Sequence, residues 1–225
     1  RYGAPRLFRA LRQSNVKCCQ NTVANIMQEL NLKARNGKAF RYSRFSQANY
    51  HVSGNVLNRQ FSAIAPNQKW VSDITYLRLN GKWIYLATVM DLYSRAIVGW
   101  HIDDNMTVSL ISEALKMAIK RRDIKPGLII HSDRGVQYRS IEYLDLIHSI
   151  GAVSSMSRRS NCWDNAVMES FFSRLKVELT FGEKYHSIPQ LKSSIFEYIE
   201  IFYNRVRQHS TLGYLSPVQY EQQSA

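Results

Sequence analysis

The sequence predicts an α/β fold in which a mixed β-sheet is flanked by helices and preceded by a small helical module. Three observations predict this class. Residues 1–65 are strongly basic and contain short helical patterns. From Trp70 onward, β-branched and aromatic residues become frequent, and the strand and helix patterns then follow the order βββ-α-β-α-β-α. A chain of 225 residues is long enough for one large domain or two small ones.

The charge of the chain is concentrated at one end. Lys and Arg number 30 against 17 Asp and Glu, a net charge of +13. Residues 1–65 hold 11 of these cations and a single acid, Glu29, which leaves 19 cations and 16 acids for residues 66–225. Because each neutralised phosphate releases condensed counterions, this asymmetry favours a nucleic-acid partner over a merely basic soluble protein. The sequence contains no run of about 18 apolar residues, so it predicts no membrane span.

The cysteines and the start of the chain add two expectations. Cys18, Cys19 and Cys162 form neither a C-x-x-C pair nor a zinc spacing, which is typical of free thiols in a reducing cytosol. No secretory signal pattern opens the chain. Because the first residue is Arg rather than Met, we expect a piece of a longer protein whose helical module is truncated at its start.

The N-terminal pattern predicts two short helices. Ala4 to Gln13 has helical spacing with proline in the first turn, and Thr22 to Leu30 follows with Asn21 as its cap. We interpret residues 1–36 as a helix-turn-helix-like DNA-binding module, although helical hairpins are also common structural parts. Residues 37–65 predict a basic linker or arm that could follow a phosphate backbone. The candidate DNA contacts in these two segments are Arg6, Arg9, Arg12, Arg41 and Arg44.

Residues 66–225 predict the α/β domain. A hairpin turn at Asn80-Gly81 joins the first two strands. The predicted strands are 70–79, 82–92, 96–102, 128–131 and 152–156, and the predicted helices are 108–122, 140–150, 161–176 and 188–206. Asp164 and Asn165 are expected to cap and orient the helix over 161–176.

Three acids occupy unusual positions in this pattern. Asp73 shares one face of the first strand with Val71 and Leu77, and a poorly solvated acid there needs a partner or a metal. Asp133 follows the strand LIIHS at its C-terminal end, where open α/β sheets place their ligands. Glu169 lies at the edge of the apolar arc of its helix. Such acids can converge at one sheet edge and bind Mg²⁺ or Mn²⁺, and two such ions can clamp a phosphoryl displacement. The alternative to a metal site is that the three acids are unrelated and each has only a structural role.

Five phrases carry a family resemblance. They are WVSDITY (70–76), LATVMDLYSRAIVGW (86–100), HSDRGVQY (131–138), SMSRRSNCWDNAVMESFFSRLK (155–176) and YNRVRQHSTLGYLSP (203–217). Over about residues 66–220 the chain resembles bacterial insertion-sequence transposases with an integrase-like catalytic core, part of the retroviral integrase superfamily. Residues 2–35 resemble the helix-turn-helix that precedes this core.

The resemblance implies a ribonuclease-H-like fold with a D,D-35-E triad of Asp73, Asp133 and Glu169 as catalytic metal ligands for Mg²⁺ or Mn²⁺. It implies a polynucleotidyl transferase that cleaves the element's ends and transfers the strand by two-metal phosphoryl transfer. The expected partners are DNA, both element ends and target, and further copies of the chain; the expected location is the bacterial cytoplasm, on the nucleoid. The alternatives are a metal-dependent nuclease or resolvase of the same fold and a non-catalytic DNA-binding remnant.

Several further residues have two interpretations. Lys176 matches the family's basic residue after the glutamate and is a candidate phosphate contact, or a solvated lysine. Arg158 and Arg159 could touch DNA or form an ordinary basic loop, and Arg207 is another candidate for phosphate. His131 could tune the neighbouring carboxylate, but is more often a satisfied strand histidine.

Overall fold

A five-stranded mixed sheet lies at the centre of the protein. The computed structural model describes residues 2–34, 52–158, 162–180 and 183–223. The strands are β1 (Lys69–Leu79), β2 (Lys82–Asp91), β3 (Ile97–Asp103), β4 (Ile129–Ser132) and β5 (Val153–Met156). Their order across the sheet is β3-β2-β1-β4-β5; β1 to β3 are antiparallel, whereas β4 and β5 run parallel to β1. The predicted mixed sheet is confirmed.

The turn between β1 and β2 lies where the sequence predicts it. Asn80 and Gly81 both have positive φ angles, 47° and 82°, as a two-residue hairpin turn with the twist of the flanking strands requires. The pairing then runs without interruption from Leu79 opposite Lys82 to Trp70 opposite Asp91. This continuous register fixes which residues of β1 point to each face of the sheet.

Helices cover both faces of the sheet. Their bounds are α1 (Ala4–Gln13), α2 (Gln20–Glu29), α3 (Val108–Arg121), α4 (Ile141–Ser149), α5 (Ala166–Leu175), α6 (Ile188–Phe196) and α7 (Pro217–Gln222). One face packs against α3 and α4, through residues such as Trp70, Val89 and Leu110. The opposite face packs against α5 and α6, through residues such as Val71 and Phe172.

Two of these helices continue in π-helical turns. Lys176–Thr180 follows α5 directly, and Glu197–Tyr203 follows α6. The sequence predicts one regular helix over 188–206, and the structure replaces its second half with the wider turn. π-Helical segments are frequently found at functional sites, because they re-aim side chains within a helix.

The helical module follows the prediction except at one cap. Helix α1 has the predicted bounds, whereas α2 begins two residues before the predicted start. Cys19 is the N-cap of α2, and its sulfur accepts a hydrogen bond from the Thr22 amide, so the predicted Asn21 cap is wrong. Tyr2 and Gln13 of the module contact the C-terminal part of the chain, where both bond to Gln208.

Part of the predicted basic linker packs onto the sheet domain. Leu57 is buried in the core on the α5 side. Its amide donates to the Ser155 hydroxyl, and the Gly54 carbonyl accepts from the Met156 amide, so the segment lies along β5. The boundary at residue 66 stays a prediction, and Arg41 and Arg44 lie outside the described residues.

The C-terminal residues close over the same domain. Glu221 of α7 receives two hydrogen bonds from Arg122 and a third from the Ser94 hydroxyl. Asn204 bonds through its side-chain amide to both backbone groups of Ile97 at the start of β3. None of the described helices combines the length and the apolar character that crossing a membrane requires.

A glycine on β3 sets the distance between the sheet and α3. A Cβ at Gly99 would overlap the carbonyl oxygen of Ala114 and lie 2.9 Å from the Ala118 side chain. We expect Gly99→Ala to lower the free energy of unfolding by about 3 kcal/mol, because both neighbours belong to a rigid helix. Denaturant unfolding measures this change.

Gly54→Ala is the matched control, since no atom lies within 4 Å of a Cβ added there. It should change the free energy of unfolding by less than about 0.5 kcal/mol. Equal effects of the two substitutions would contradict the close packing of α3 on β3.

Candidate active site

Asp73 lies on the central strand β1, on the face that α5 covers. Alternation along β1 puts Val71, Asp73 and Leu77 on this face, and both apolar neighbours belong to the α5-side core. Asp73 is opposite Thr88 of β2, and its carboxylate accepts a hydrogen bond from the Ile74 amide at 2.8 Å. The predicted environment, a poorly solvated acid among apolar side chains, is confirmed.

Asp133 directly follows β4, the parallel strand next to β1. Val71 of β1 is opposite His131 of β4, so each aspartate comes two residues after the last pair that joins these two strands. Opposite residues of parallel strands point to the same face, which brings the two carboxylates to one sheet edge. Asp133 accepts a hydrogen bond from the Gly135 amide at 2.8 Å, and the chain turns away from the sheet there.

Glu169 is held in the first turn of α5, which packs against this face. Met168, Phe171, Phe172 and Leu175 are buried in the core, as the predicted apolar arc requires. Glu169 itself is only partly exposed and has no hydrogen-bond or ion-pair partner among the described side chains. Its carboxylate is therefore held near the sheet by its neighbours while remaining available for a ligand.

Burial acts on all three acids, and repulsion by the other two adds to it at Asp73. Burial, followed by the charge of Asp133, raises the pKa of Asp73 well above its usual value, and the charge of Glu169 adds to this. Burial also raises the pKa of Asp133 and that of Glu169. Carboxylates in such surroundings are ionised most readily beside a cation, because a positive charge offsets both effects.

The three carboxylates are not assembled into a ligand set. Among the residues described here, no three His, Cys, Asp or Glu side chains lie close enough together to hold one metal ion. Asp73 is within electrostatic range of both other acids. The donor chemistry, three carboxylates, fits Mg²⁺ or Mn²⁺, and completing the set requires a side chain to move.

Lys176 lies next to Asp73, mostly buried. Its side chain is 6% exposed, and its ammonium lies 4.3 Å from the centre of the Tyr76 ring. Burial lowers the pKa of Lys176, and the charge of Asp73 opposes this shift. The structure thus places a cation beside the catalytic candidate, and direct contact with a DNA phosphate stays a prediction.

Asp164, predicted to cap the Glu169 helix, has a different role. Its buried carboxylate receives hydrogen bonds from the Arg158 backbone and guanidinium, from Arg59 and from Asn55. Asn165 occupies the cap position, but its side chain bonds to no helix amide. The predicted capping by these two side chains is wrong, because arginine donors outcompete the helix amides for the carboxylate. The bonds from Arg158 hold the pKa of Asp164 well below its usual value.

The guanidinium of Arg158 is therefore partly occupied by contacts within the protein. It forms an ion pair with Asp164 at 3.0 Å, yet about half of its side chain is exposed. Contact with DNA stays a prediction for Arg158, and Arg159 lies outside the described residues. The sequence signal for the Asp164 cluster was weak, since its donors come from residues 55, 59 and 158, far apart in the chain.

His131 is a satisfied strand histidine. Its two ring nitrogens pair with the hydroxyls of Ser155 and Ser157, at 2.8 and 3.1 Å. Burial lowers its pKa to about 4. The ring is therefore neutral at pH 7 and part of the packing beneath β5, as the second of the two interpretations states.

The arginines near the helical module are differently exposed. Arg6 is half-buried; burial, followed by the charge of Arg207, lowers its pKa. Arg9 is exposed and lies over the Tyr214 ring at 4.9 Å, and Arg12 is exposed at the end of α1. Arg207 forms a buried ion pair with Glu178 at 2.9 Å, so its predicted availability to phosphate is wrong.

The sequence matches known families along nearly its whole length. Residues 63–162 and 169–225 match integrase core domains, and residues 1–40 match an HTH-like domain. The transposase InsF of insertion sequence IS3A from Escherichia coli strain K12 is 43% identical over 98% of this chain and 77% of its own length.

This chain belongs to the IS3 family of insertion-sequence transposases.

A 31 kDa protein of insertion element IS600 from Shigella sonnei is 40% identical over 98% of the transposase chain and 81% of its own length. The expected family, the integrase core and the DNA transposase function are confirmed at this level.

Solved structures of integrases share the fold. A chain of the simian T-cell lymphotropic virus intasome, in complex with a PP2A regulatory subunit, has a TM-score of 0.59 at 15% identity, over 96% of the transposase chain and 74% of that chain. The HTLV-2 integrase catalytic core in complex with magnesium has a TM-score of 0.53 at 16% identity, over 70% of the transposase chain and 98% of that chain. The ribonuclease-H-like fold is confirmed.

The Asp164 cluster yields a stability prediction with a defined pH dependence. Asp164→Asn should lower the free energy of unfolding at pH 7 by about 2 kcal/mol, because two arginines lose their acceptor. The native pKa of the carboxylate lies below its unfolded value, so its contribution is complete above about pH 4 and is lost as the pH falls further. The difference between variant and wild type should therefore shrink below pH 4 in urea unfolding.

Asp145→Asn is the control, since Asp145 is an exposed carboxylate on α4. It should shift the free energy of unfolding by less than about 0.5 kcal/mol at pH 7. An Asp164→Asn variant as stable as the wild type at pH 7 would show that the cluster does not stabilise the fold.

Proposed function

We propose that this transposase cuts the phosphodiester at the ends of its insertion sequence and joins the freed 3′-hydroxyl to target DNA, with Asp73, Asp133 and Glu169 as the catalytic acids. One observation carries the proposal. Asp73 on β1 and Asp133, directly after β4, come to one edge of the sheet, under a helix that presents Glu169, an acid with no partner among the described side chains.

The acids are suited to bind Mg²⁺, or Mn²⁺ in its place. Both cations prefer carboxylate oxygens and retain several waters, which suits a site with few protein ligands. When bound in a pair, such ions stabilise the attacking and leaving oxygens of an in-line phosphoryl displacement. The HTLV-2 integrase core, a protein of the same fold, has been solved in complex with magnesium.

The protein's own contribution is position and charge. Asp73 and Asp133 are fixed by the sheet register and by the amides of Ile74 and Gly135. The apolar face of α5 holds Glu169 over the same edge. Lys176 supplies a nearby positive charge where a phosphodiester would bring negative charge. No covalent enzyme intermediate is needed, because correct placement of the attacking hydroxyl supplies much of the rate enhancement.

DNA binding and assembly complete the proposal. The HTH-like module and the exposed Arg9, Arg12 and Arg158 would contact DNA phosphates, as the +13 charge of the chain favours. Several copies would assemble on paired element ends, as the intasome of the related fold suggests. Because the similar InsF proteins are transposases of Escherichia coli, we also propose that the chain acts on DNA in the bacterial cytoplasm.

Substitution of the acids tests the catalytic assignment. Asp73→Asn and Glu169→Gln preserve shape but remove charge, so we expect strand transfer to fall by about 10³-fold or more. The measurement is the rate of joining of a labelled element end to target DNA in Mg²⁺. The control Asp145→Asn should join at the wild-type rate, and a chelator should abolish the reaction reversibly.

A pre-cut element end separates transposition from simple cleavage. A transposase joins the supplied 3′-hydroxyl to target DNA, whereas a nuclease or resolvase of the same fold only cuts. Joining by Asp73→Asn at the wild-type rate would falsify the catalytic assignment. Cleavage without any joining would instead favour the nuclease.

A further inference from the structure

Two aromatic rings in contact, with a cation stacked at each end, extend from the active-site acids to the tip of the β1–β2 hairpin. The Lys176 ammonium lies over the Tyr76 ring at 4.3 Å. Tyr76 meets Trp83 edge-to-face, with ring centres 4.9 Å apart, and the Arg78 guanidinium lies 4.6 Å from the centre of the Trp83 ring. We call these four side chains the aromatic–basic strip.

The strip is open on one side and rigidly supported from behind. On the same face of the sheet, Ala87 and Val89 are buried under α3, but this cover ends before Trp83, which is 45% exposed. On the opposite face of the hairpin, Leu77, Leu79 and Ile84 are buried in the α5-side core. A large aromatic side chain that is exposed on a rigid surface is typical of a contact site for a partner.

Charge identifies the partner. Arg78 and Lys82 are both exposed at the hairpin tip, and Lys176 stands at the inner end of the strip. Asp103 of β3, opposite Tyr85, bounds the strip on the β3 side. Arginine stacked on an aromatic ring is a common arrangement for binding nucleic acid, since it offers both a phosphate contact and an apolar surface for a base or sugar.

Asp73 and the strip lie on opposite faces of β1 and meet at its edge, because β4 pairs only with residues 69–71 and Lys176 lies over Tyr76 within electrostatic range of Asp73. Arg78 follows Asp73 by five residues, or about 17 Å along an extended strand. A DNA strand advances about 3.4 Å per nucleotide, so this distance corresponds to about five nucleotides. A strand that reacts at Asp73 and follows this edge of β1 onto the α3 side therefore reaches Trp83 and Arg78 within about one half-turn of the duplex.

We infer that the aromatic–basic strip is a DNA-binding surface that holds the backbone about five nucleotides from the reacting phosphodiester. The inference rests on the proposed function, since it takes Asp73 as the point of reaction. An element end and target DNA both offer phosphates and bases to the strip, and crosslinking with each DNA separately distinguishes the two.

Photo-crosslinking locates the contact. 5-Iododeoxyuridine is placed in turn two to eight nucleotides from the reacting phosphate, in one series on the element end and in another on target DNA. A chelator prevents cleavage, so the result does not depend on which acids are catalytic. We expect crosslinks to Trp83 that are strongest near the fifth nucleotide, in one of the two series.

Variants of the strip test its role in affinity. Trp83→Ala should weaken DNA binding about tenfold, whereas Trp83→Phe, which keeps a ring, should retain most of the affinity. Arg78→Ala should lower the slope of log affinity against log salt concentration by about one, as the loss of one phosphate contact predicts. Lys120→Ala removes an exposed charge at the end of α3 and is the matched control, with an affinity loss smaller than that of Arg78→Ala.

Two outcomes would overturn the inference. One is the absence of a crosslink to the hairpin in both series. The other is a set of Trp83→Ala and Arg78→Ala variants that bind DNA with wild-type affinity and salt dependence, whatever their thermal stability, because the strip would then serve only to stabilise the hairpin. Loss of catalysis in the acid variants affects neither measurement.

Discussion

Desolvation of Asp73, reinforced by repulsion from Asp133, is the constraint on which the active site depends. Asp73 lies on β1 among apolar residues, Asp133 directly follows the adjacent parallel strand β4, and one backbone amide is bonded to each carboxylate. Burial raises the pKa of both, and for Asp73 their mutual repulsion adds to the shift. These surroundings oppose ionisation of the carboxylates. A bound divalent cation would offset that cost, as it does in metal-dependent phosphoryl transfer.

The surrounding structure keeps these acids in place. The β1–β2 register holds Asp73, and the apolar face of α5 brings Glu169 to the same edge. The Asp164 cluster ties the approach to α5 to residues 55 and 59, upstream of the sheet. Arg59 of the basic segment and Arg158, which precedes α5, both pair with the Asp164 carboxylate. This carboxylate therefore links the basic segment to the helix that carries Glu169.

Local patterns in the sequence predict the fold well, and contacts between distant residues explain where they fail. Alternation and the Asn80-Gly81 turn predict the hairpin, and helical periodicity predicts the buried face of α5. The role of Asp164 was not predictable, because its arginine partners are chosen by tertiary packing. Arg207 looked available to phosphate for the same reason, since nothing local reveals its burial against Glu178. The three acids were identified by position and resemblance, but the unassembled state of their ligand set is a property of side-chain placement.

Anomalous diffraction from crystals grown in Mn²⁺ tests the central claim most directly, since it locates the cations independently of any DNA. We expect Mn²⁺ bound between Asp73 and Asp133, with Glu169 turned toward it, and a second ion about 3.5–4 Å away once DNA is present. Crystals that contain no ion at this edge of the sheet, or an ion bound only by other residues, would contradict it.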